Sequence, residues 1–175
     1  MTLARIVSGG QTGVDRAALD AALTARFPCG GWCPEGRKAE DGRIPDHYPV
    51  VILPGSGYRA RTLKNVEDSD GTVIVYSAPL SGGTKLTRDF CIRAKKPFVF
   101  VDATTVSLAD AIDGVIAFIA KQQVAVLNVA GQRASGWQEG YRIALNLVAG
   151  VIQGVRVAPV DRGICDVQQS RSLNE

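Results

Sequence analysis

The chain has little of what most often binds metals or moves protons. It carries one histidine, His47, and one methionine, Met1. A single histidine excludes the His-rich cages of catalytic zinc. The four cysteines are Cys29, Cys33, Cys91 and Cys165. Only Cys29 and Cys33 are close, and a structural zinc site needs two further ligands at comparable spacing. No metal site is therefore expected, and free thiols in a reducing compartment are expected instead. Aromatic residues make up 6%, and the 20 basic residues outnumber the 17 acidic ones by only three. Basic residues stand singly or in pairs such as Lys95-Lys96, with no aromatic stripe beside them, which argues against a nucleic-acid partner. No apolar run approaches the roughly 18 residues of a membrane helix. The sequence opens almost at once on a core strand, with no secretory pattern. The expectation is a cytoplasmic protein with no membrane partner.

What is present suits one globular domain. The 175 residues are 46% hydrophobic, enough for a sizeable core. Short β-branched runs alternate with Ala/Leu-rich segments. Leu3-Ala4-Arg5-Ile6-Val7 reads as a buried strand, and Arg16 to Leu23 as a helix. Between them lies Ser8-Gly9-Gly10-Gln11-Thr12-Gly13-Val14-Asp15. A turn of this kind aims the first, unpaired amides of a helix into one spot that suits an anion. Gly9 and Gly10 let the backbone approach a guest closely, and Gln11 and Thr12 add donors. The plainer reading is a tight strand–helix connection that binds nothing.

Thr72-Val73-Ile74-Val75-Tyr76 is continuously apolar, as a parallel strand covered on both faces should be. Ser77 to Thr84, with Gly82-Gly83-Thr84, follows it as a second glycine turn before a helix over Leu86 to Ala94. Phe98 to Asp102 reads as a strand. Ser107 is placed to cap a helix with Leu108, Ile112, Val115, Ile116 and Ile119 on one face. Val124 to Gly131 is a further strand, leading into a third turn, Gly131-Gln132-Arg133-Ala134-Ser135-Gly136. That turn carries Asn128 just before it and Arg133 within it, Ser135 is a candidate N-cap, and the last helix is expected over Gln138 to Ala149. The first 150 residues form the domain. Residues 151–175 are a C-terminal extension, with Val155-Arg156-Val157-Ala158 readable as an edge strand or as part of a tail.

Between the first and second turns lies a Gly/Pro-rich stretch. Trp32, Glu35 and Arg37 offer a ring, an acceptor and a guanidinium close together. Val50 to Leu53 is a brief apolar run. Arg59 to Val66 reads as a short helix with Arg61 and Asn65 one turn apart on one face. Alternation of this kind specifies an α/β fold, a Rossmann-like three-layer sandwich with a mostly parallel sheet. Ligands in such sheets sit outside the strand carboxyl ends, where all three glycine turns fall.

Several long motifs occur in a characteristic order: Ser8 to Asp20, Gly31 to Gly42, Arg61-Thr62 to Asn65-Val66, Asp68 to Thr72, Gly82-Gly83-Thr84 and Leu127 to Gly131. On these the chain, from about residue 3 to 150, resembles the "putative molybdenum carrier" family. This is the circularly permuted YpsA branch of the SLOG superfamily, related to the lysine-decarboxylase-like LOG proteins. The resemblance implies a Rossmann-like fold and a nucleotide-like or pterin-phosphate ligand, with a nucleotide or molybdenum cofactor as the candidate group. Phosphoribohydrolases of the superfamily carry a glutamate shortly after the glycine turn. Here Gly82-Gly83-Thr84 is followed by Lys85-Leu86-Thr87-Arg88-Asp89, and that glutamate is absent.

The expectation is thus a binding protein or sensor for a small phosphate-bearing ligand. Its site would comprise Gly9, Gly10, Gln11, Thr12, Gly13, Trp32, Arg37, Arg61, Asn65, Gly82, Gly83, Thr84, Asn128, Gly131 and Arg133. The alternative is a nucleotide hydrolase using Glu35, Asp15 or Asp70 as its carboxylate. A homo-oligomer is expected.

Overall fold

The computed structural model describes residues 3–157, apart from Ala78 and Ser81. Six strands form one parallel sheet: β1 (Arg5–Val7), β2 (Cys29–Cys33), β5 (Val50–Ile52), β6 (Gly71–Tyr76), β7 (Phe98–Asp102) and β8 (Val126–Gly131). Their order is β5-β2-β1-β8-β6-β7, and every pairing is parallel. A separate antiparallel hairpin joins β3 (Lys38–Ala39) to β4 (Gly42–Arg43). The helices are α1 (Val14–Thr24), α2 (Tyr58–Glu67), α3 (Gly82–Arg93), α4 (Leu108–Gln122) and α5 (Gly140–Val157).

The main core explains the layers. Ile6, Val73, Val75, Leu127 and Val129 alternate along three central strands and meet Ala18 of α1, Val115 of α4 and Leu147 of α5. A smaller cluster of Val66, Phe90 and Cys91 sits beneath α2 and α3. Helices therefore cover both faces of the sheet, and this is a Rossmann-like α/β arrangement. β1 leads through α1 to β2 on one side, β6 leads through α3 to β7 on the other, and β8 fills the gap between them. The strand order thus reverses across β1, β8 and β6, the place where such sheets open a crevice.

Two boundaries differ from the sequence reading. Helix α3 begins at Gly82, so Gly82-Gly83-Thr84 is its first turn rather than a loop before it. First-turn residues make no intrahelical N–H bond, so poor helix formers cost little there. Helix α5 runs to Val157, and residues 155–157 are its last turn rather than an edge strand. Gly150 and Gly154 within α5 are notches: an added Cβ would lie 2.4 Å from Ile112 and 2.3 Å from Ile116 of α4. The rest of the expected C-terminal extension, residues 158–175, lies outside the described residues. Among the described residues no helix is long and apolar enough to cross a membrane.

Candidate functional site

A cavity of about 400 Å³ opens at the carboxyl ends of β1, β8 and β6. Three separate stretches build it. Gly9, Gln11 and Asp15 come from the first glycine turn, Gly82, Gly83 and Thr84 from the head of α3, and Gly131 and Arg133 from the third turn. Arg61 and Asn65 of α2 and Asn128 of β8 complete the expected lining. The predicted convergence of the three corners on one sheet rim is present.

Arg61 and Asp15 form a buried ion pair, Nη1 to Oδ2 at 3.1 Å, with side chains 10% and 6% exposed. The guanidinium packs against Gly9, where a Cβ would sit 1.6 Å from Nη1. Gly9 is thus required by the arginine, and any other residue would expel it. Arg61 Nε is buried and has no hydrogen-bond partner among the described residues. Such an orphan costs free energy unless something accepts from it. Burial pushes the Asp15 carboxyl up, against the opposing pull of Arg61 and of the Gln11 and Gly9 amides.

Several expected donors prove to be spent. Asp15 Oδ2 accepts from the Gln11 amide at 3.4 Å, and Gln11 Oε1 accepts from the Thr12 amide at 3.0 Å. Gly10 and Gly13 do not line the cavity: the Gly10 carbonyl accepts from Arg16 Nε, and Gly13 is the N-cap of α1, closed over by the Gln132 carbonyl. Thr12 also faces elsewhere, its hydroxyl donating to Glu40 and accepting from the Ala134 amide. Asn65 lines the cavity, but its carboxamide clamps the Trp32 backbone, accepting at 2.8 Å and donating at 3.0 Å. Asn128 donates to Thr72 within the sheet.

Four further residues proposed from sequence lie away from the cavity. Trp32 turns its ring to the outside of α2, donating Nε1–H to Asp68 at 2.8 Å beneath Lys64. Arg37 is buried and donates to the carbonyls of Ile44, Pro45, Tyr48 and Val50. Glu35 accepts from the Gly55 amide and fastens that turn. Asp70 accepts from the Ala125 and Val126 amides at the amino end of β8, the opposite rim of the sheet. Residues near one another in sequence are here separated by strand alternation and by the parallel direction of the sheet. Ser135 does not cap α5, which begins five residues later; it binds Glu40 instead.

Glu40 was missed as a site residue, although its motif was noted. Projecting from the hairpin, it accepts from the Ser135 amide at 3.1 Å and the Ser135 hydroxyl at 2.5 Å, and it lies 3.4 Å from Arg133 Nε. It thereby ties the first corner to the third. Nothing in local pattern marks a glutamate 25 residues beyond one turn and 95 before its partner. Burial raises its pKa, but the Ser135 and Thr12 hydrogen bonds outweigh this and hold it below the usual carboxylate value of 4.5. A lowered folded-state pKa adds stability that is present above the unfolded pKa and lost as pH falls through the folded one. Wild-type melting temperature should therefore drop below about pH 4.5. Glu40→Gln should flatten that limb, and identical acid profiles would dismiss the tie.

Gln132, Tyr58, Thr62, Leu86 and Thr87 also line the cavity without having been foreseen. Among the described residues Asp15 is the one carboxylate in the lining, and the lining has no cysteine or histidine. No group of three or more His, Cys, Asp or Glu gathers as a metal site among the described residues.

The fold and the placement of this cavity define a Rossmann-like α/β protein. The chain belongs to the circularly permutated YpsA SLOG family, which matches residues 6–152. It is similar to a crystal structure described as a putative molybdenum carrier protein from Syntrophus aciditrophicus SB. The two are 42% identical with a TM-score of 0.84, over 86% of this chain and 96% of that one. No curated protein matches the chain.

Proposed function

We propose that the chain binds a small phosphate-bearing ligand, nucleotide-like or molybdopterin-like, in the cavity above β1, β8 and β6, as a carrier or sensor. The observation that carries this reading is Arg61 Nε, a buried donor without a partner in residues that line the cavity beside the head of α3. A helix N-terminus supplies free amides and a positive dipole end, and a guanidinium supplies charge-assisted donors. A cavity of about 400 Å³ lies within the range of small-molecule sites. A molybdenum-bearing ligand fits through its organic phosphate, because among the described residues the lining offers no thiolate or imidazole to the metal.

A hydrolytic reading rests on Asp15 alone, since Glu35 and Asp70 lie elsewhere and Asp89 is paired with Arg88. Asp15 is raised by burial, as an acid–base group often is. Its carboxylate is committed to Arg61, which favours binding over turnover.

Ligand that binds only the folded state must stabilise it, by about 2.7 kcal/mol at a hundredfold excess over Kd. For a chain of this size that amounts to roughly 5–10 °C in Tm. Dialysed protein should melt higher with AMP, ribose 5-phosphate or molybdopterin than in buffer. A flat response to all three would refute the proposal.

A further inference from the structure

We infer that the ligand of this cavity carries a planar heteroaromatic ring and that Tyr58, at the head of α2, is the wall on which the ring stacks. The inference rests on the ligand-binding reading above and deepens it by naming the ring as the part that sets affinity. It makes Tyr58 a specificity-determining residue.

Tyr58 is 47% exposed. Among the described residues it is the one exposed large hydrophobic side chain in the lining of this cavity. No second ring and no cation lies against it among those residues. Burial of an aromatic face against a flat partner is favourable, and the chain supplies Tyr58 with no such partner.

The fold fixes where that face stands. Helices α2 and α3 follow β5 and β6 of one parallel sheet, so both begin at the rim where the cavity opens. Arg59, the next residue, lies over the buried Phe90 ring of α3 at 5.1 Å and holds the head of α2 against α3. The Thr62 hydroxyl donates to the Tyr58 carbonyl at 2.8 Å, within the same turn. Leu86 of α3 also lines the cavity and is packed against the cluster around Phe90. Each helix head thus contributes one large apolar side chain. Apart from Ala130, the rest of the described lining is glycine or polar.

This division decides between ligand classes. A sugar phosphate or a free anion would use the glycines and the polar groups and leave Tyr58 and Leu86 in water. A flat ring joined to the same phosphate covers both. Its polar rim has a partner in Gln132, whose Oε1 accepts from the Ser77 amide at 2.9 Å, so that its NH2 is the end offering a donor. Trp32, the ring expected to stack, lies outside α2 with Nε1–H on Asp68. Tyr58 takes that role instead.

The test is calorimetric titration of the full chain with AMP, neopterin monophosphate and ribose 5-phosphate. A base stacked on one aromatic side chain gains about fivefold in affinity or more. The tighter of the two ring compounds should therefore exceed ribose 5-phosphate by at least about fivefold. Which of the two it is identifies a nucleobase or a pterin as the source. Tyr58→Ala and Tyr58→Leu should each bring the ratio close to unity and leave ribose 5-phosphate binding unchanged, whereas Tyr58→Phe should keep it. A wild-type ratio below about fivefold would overturn the inference while leaving ligand binding intact. A ratio that persists in folded Tyr58→Ala, or equal weakening of all three compounds, would overturn it as well. Should a variant fail to fold, the wild-type ratio and the ultraviolet band of the bound ring decide, since stacking lowers its absorbance and an unchanged band tells against it. If none of the three compounds binds, the inference and the reading beneath it both fall.

Discussion

Arg37→Ala should cost the fold about 4 kcal/mol, more than any surface substitution in this chain. The side chain is buried and binds no carboxylate closely, since Asp46 lies 3.7 Å away and is largely exposed. Its work is done on backbone: Nε donates to the Ile44 carbonyl at 3.0 Å, Nη1 to Val50 at 2.8 Å, and Nη2 to Pro45 and Tyr48 at 2.8 and 3.0 Å. These four carbonyls belong to the irregular stretch leading into β5, which has few ladder bonds of its own. Hydrogen bonds from a charged donor are each worth about 1.5–3 kcal/mol, and orphaned buried acceptors add a desolvation penalty of similar size. The segment will relax to reach water, so the sum is discounted to the figure given. Arg37→Lys should recover only part of the loss, because an ammonium cannot span four acceptors in a planar fork. Urea unfolding followed by circular dichroism measures both variants. A loss below about 1 kcal/mol for Arg37→Ala would show that the loop folds without its internal brace.

Arg61→Met should act on stability and on binding at once. Removing one partner of a buried ion pair costs about 3–5 kcal/mol, because the other charge stays buried. Here that charge is Asp15, 5% exposed. Without Arg61 the raising effect of burial on Asp15 is opposed only by the Gln11 and Gly9 amides, so its folded-state pKa climbs further above the ordinary 3.8. The folded state then binds more protons than the unfolded one over that window, and stability falls as pH rises through it. The defect should be small near pH 4 and full at neutral pH. Adding Asp15→Asn should restore much of the stability, since the uncompensated charge is gone. It should not restore binding, because the donor beside α3 is still missing. A double variant that recovers both would show that Arg61 serves only to neutralise Asp15.

These two arginines show how unevenly the site could be read. The sequence offers both Arg37 and Arg61 as ligand residues, the first beside Trp32 and Glu35 in a Gly/Pro-rich stretch, the second on a helix face shared with Asn65. One bonds to the backbone of its own loop, the other lines the cavity. The difference lies in which way each is turned, and that is set by partners 7 to 13 residues away in one case and 46 in the other. The glycine turn at Gly9–Gly13 reads as a phosphate site, whereas in the structure Asp15 accepts from its Gln11 amide and Gln11 Oε1 from its Thr12 amide. Sequence marks a turn with unpaired donors, but whether a guest or the chain's own side chain fills it is a matter of distance.

What the sequence determined by itself was the order of elements, the parallel sheet and the rim where its turns gather. Hydrophobic period, continuous apolar strands and glycine punctuation are local signals, and each follows from the geometry of a few neighbouring residues. The tertiary structure alone decided the length of α5, where Ile112 and Ile116 enter notches at Gly150 and Gly154. It alone set Glu40 between two corners, turned Trp32 outward and sent Asp70 to the far rim. Those outcomes depend on contacts between segments 30 to 120 residues apart, and side-chain packing at that range leaves no periodic trace in the chain.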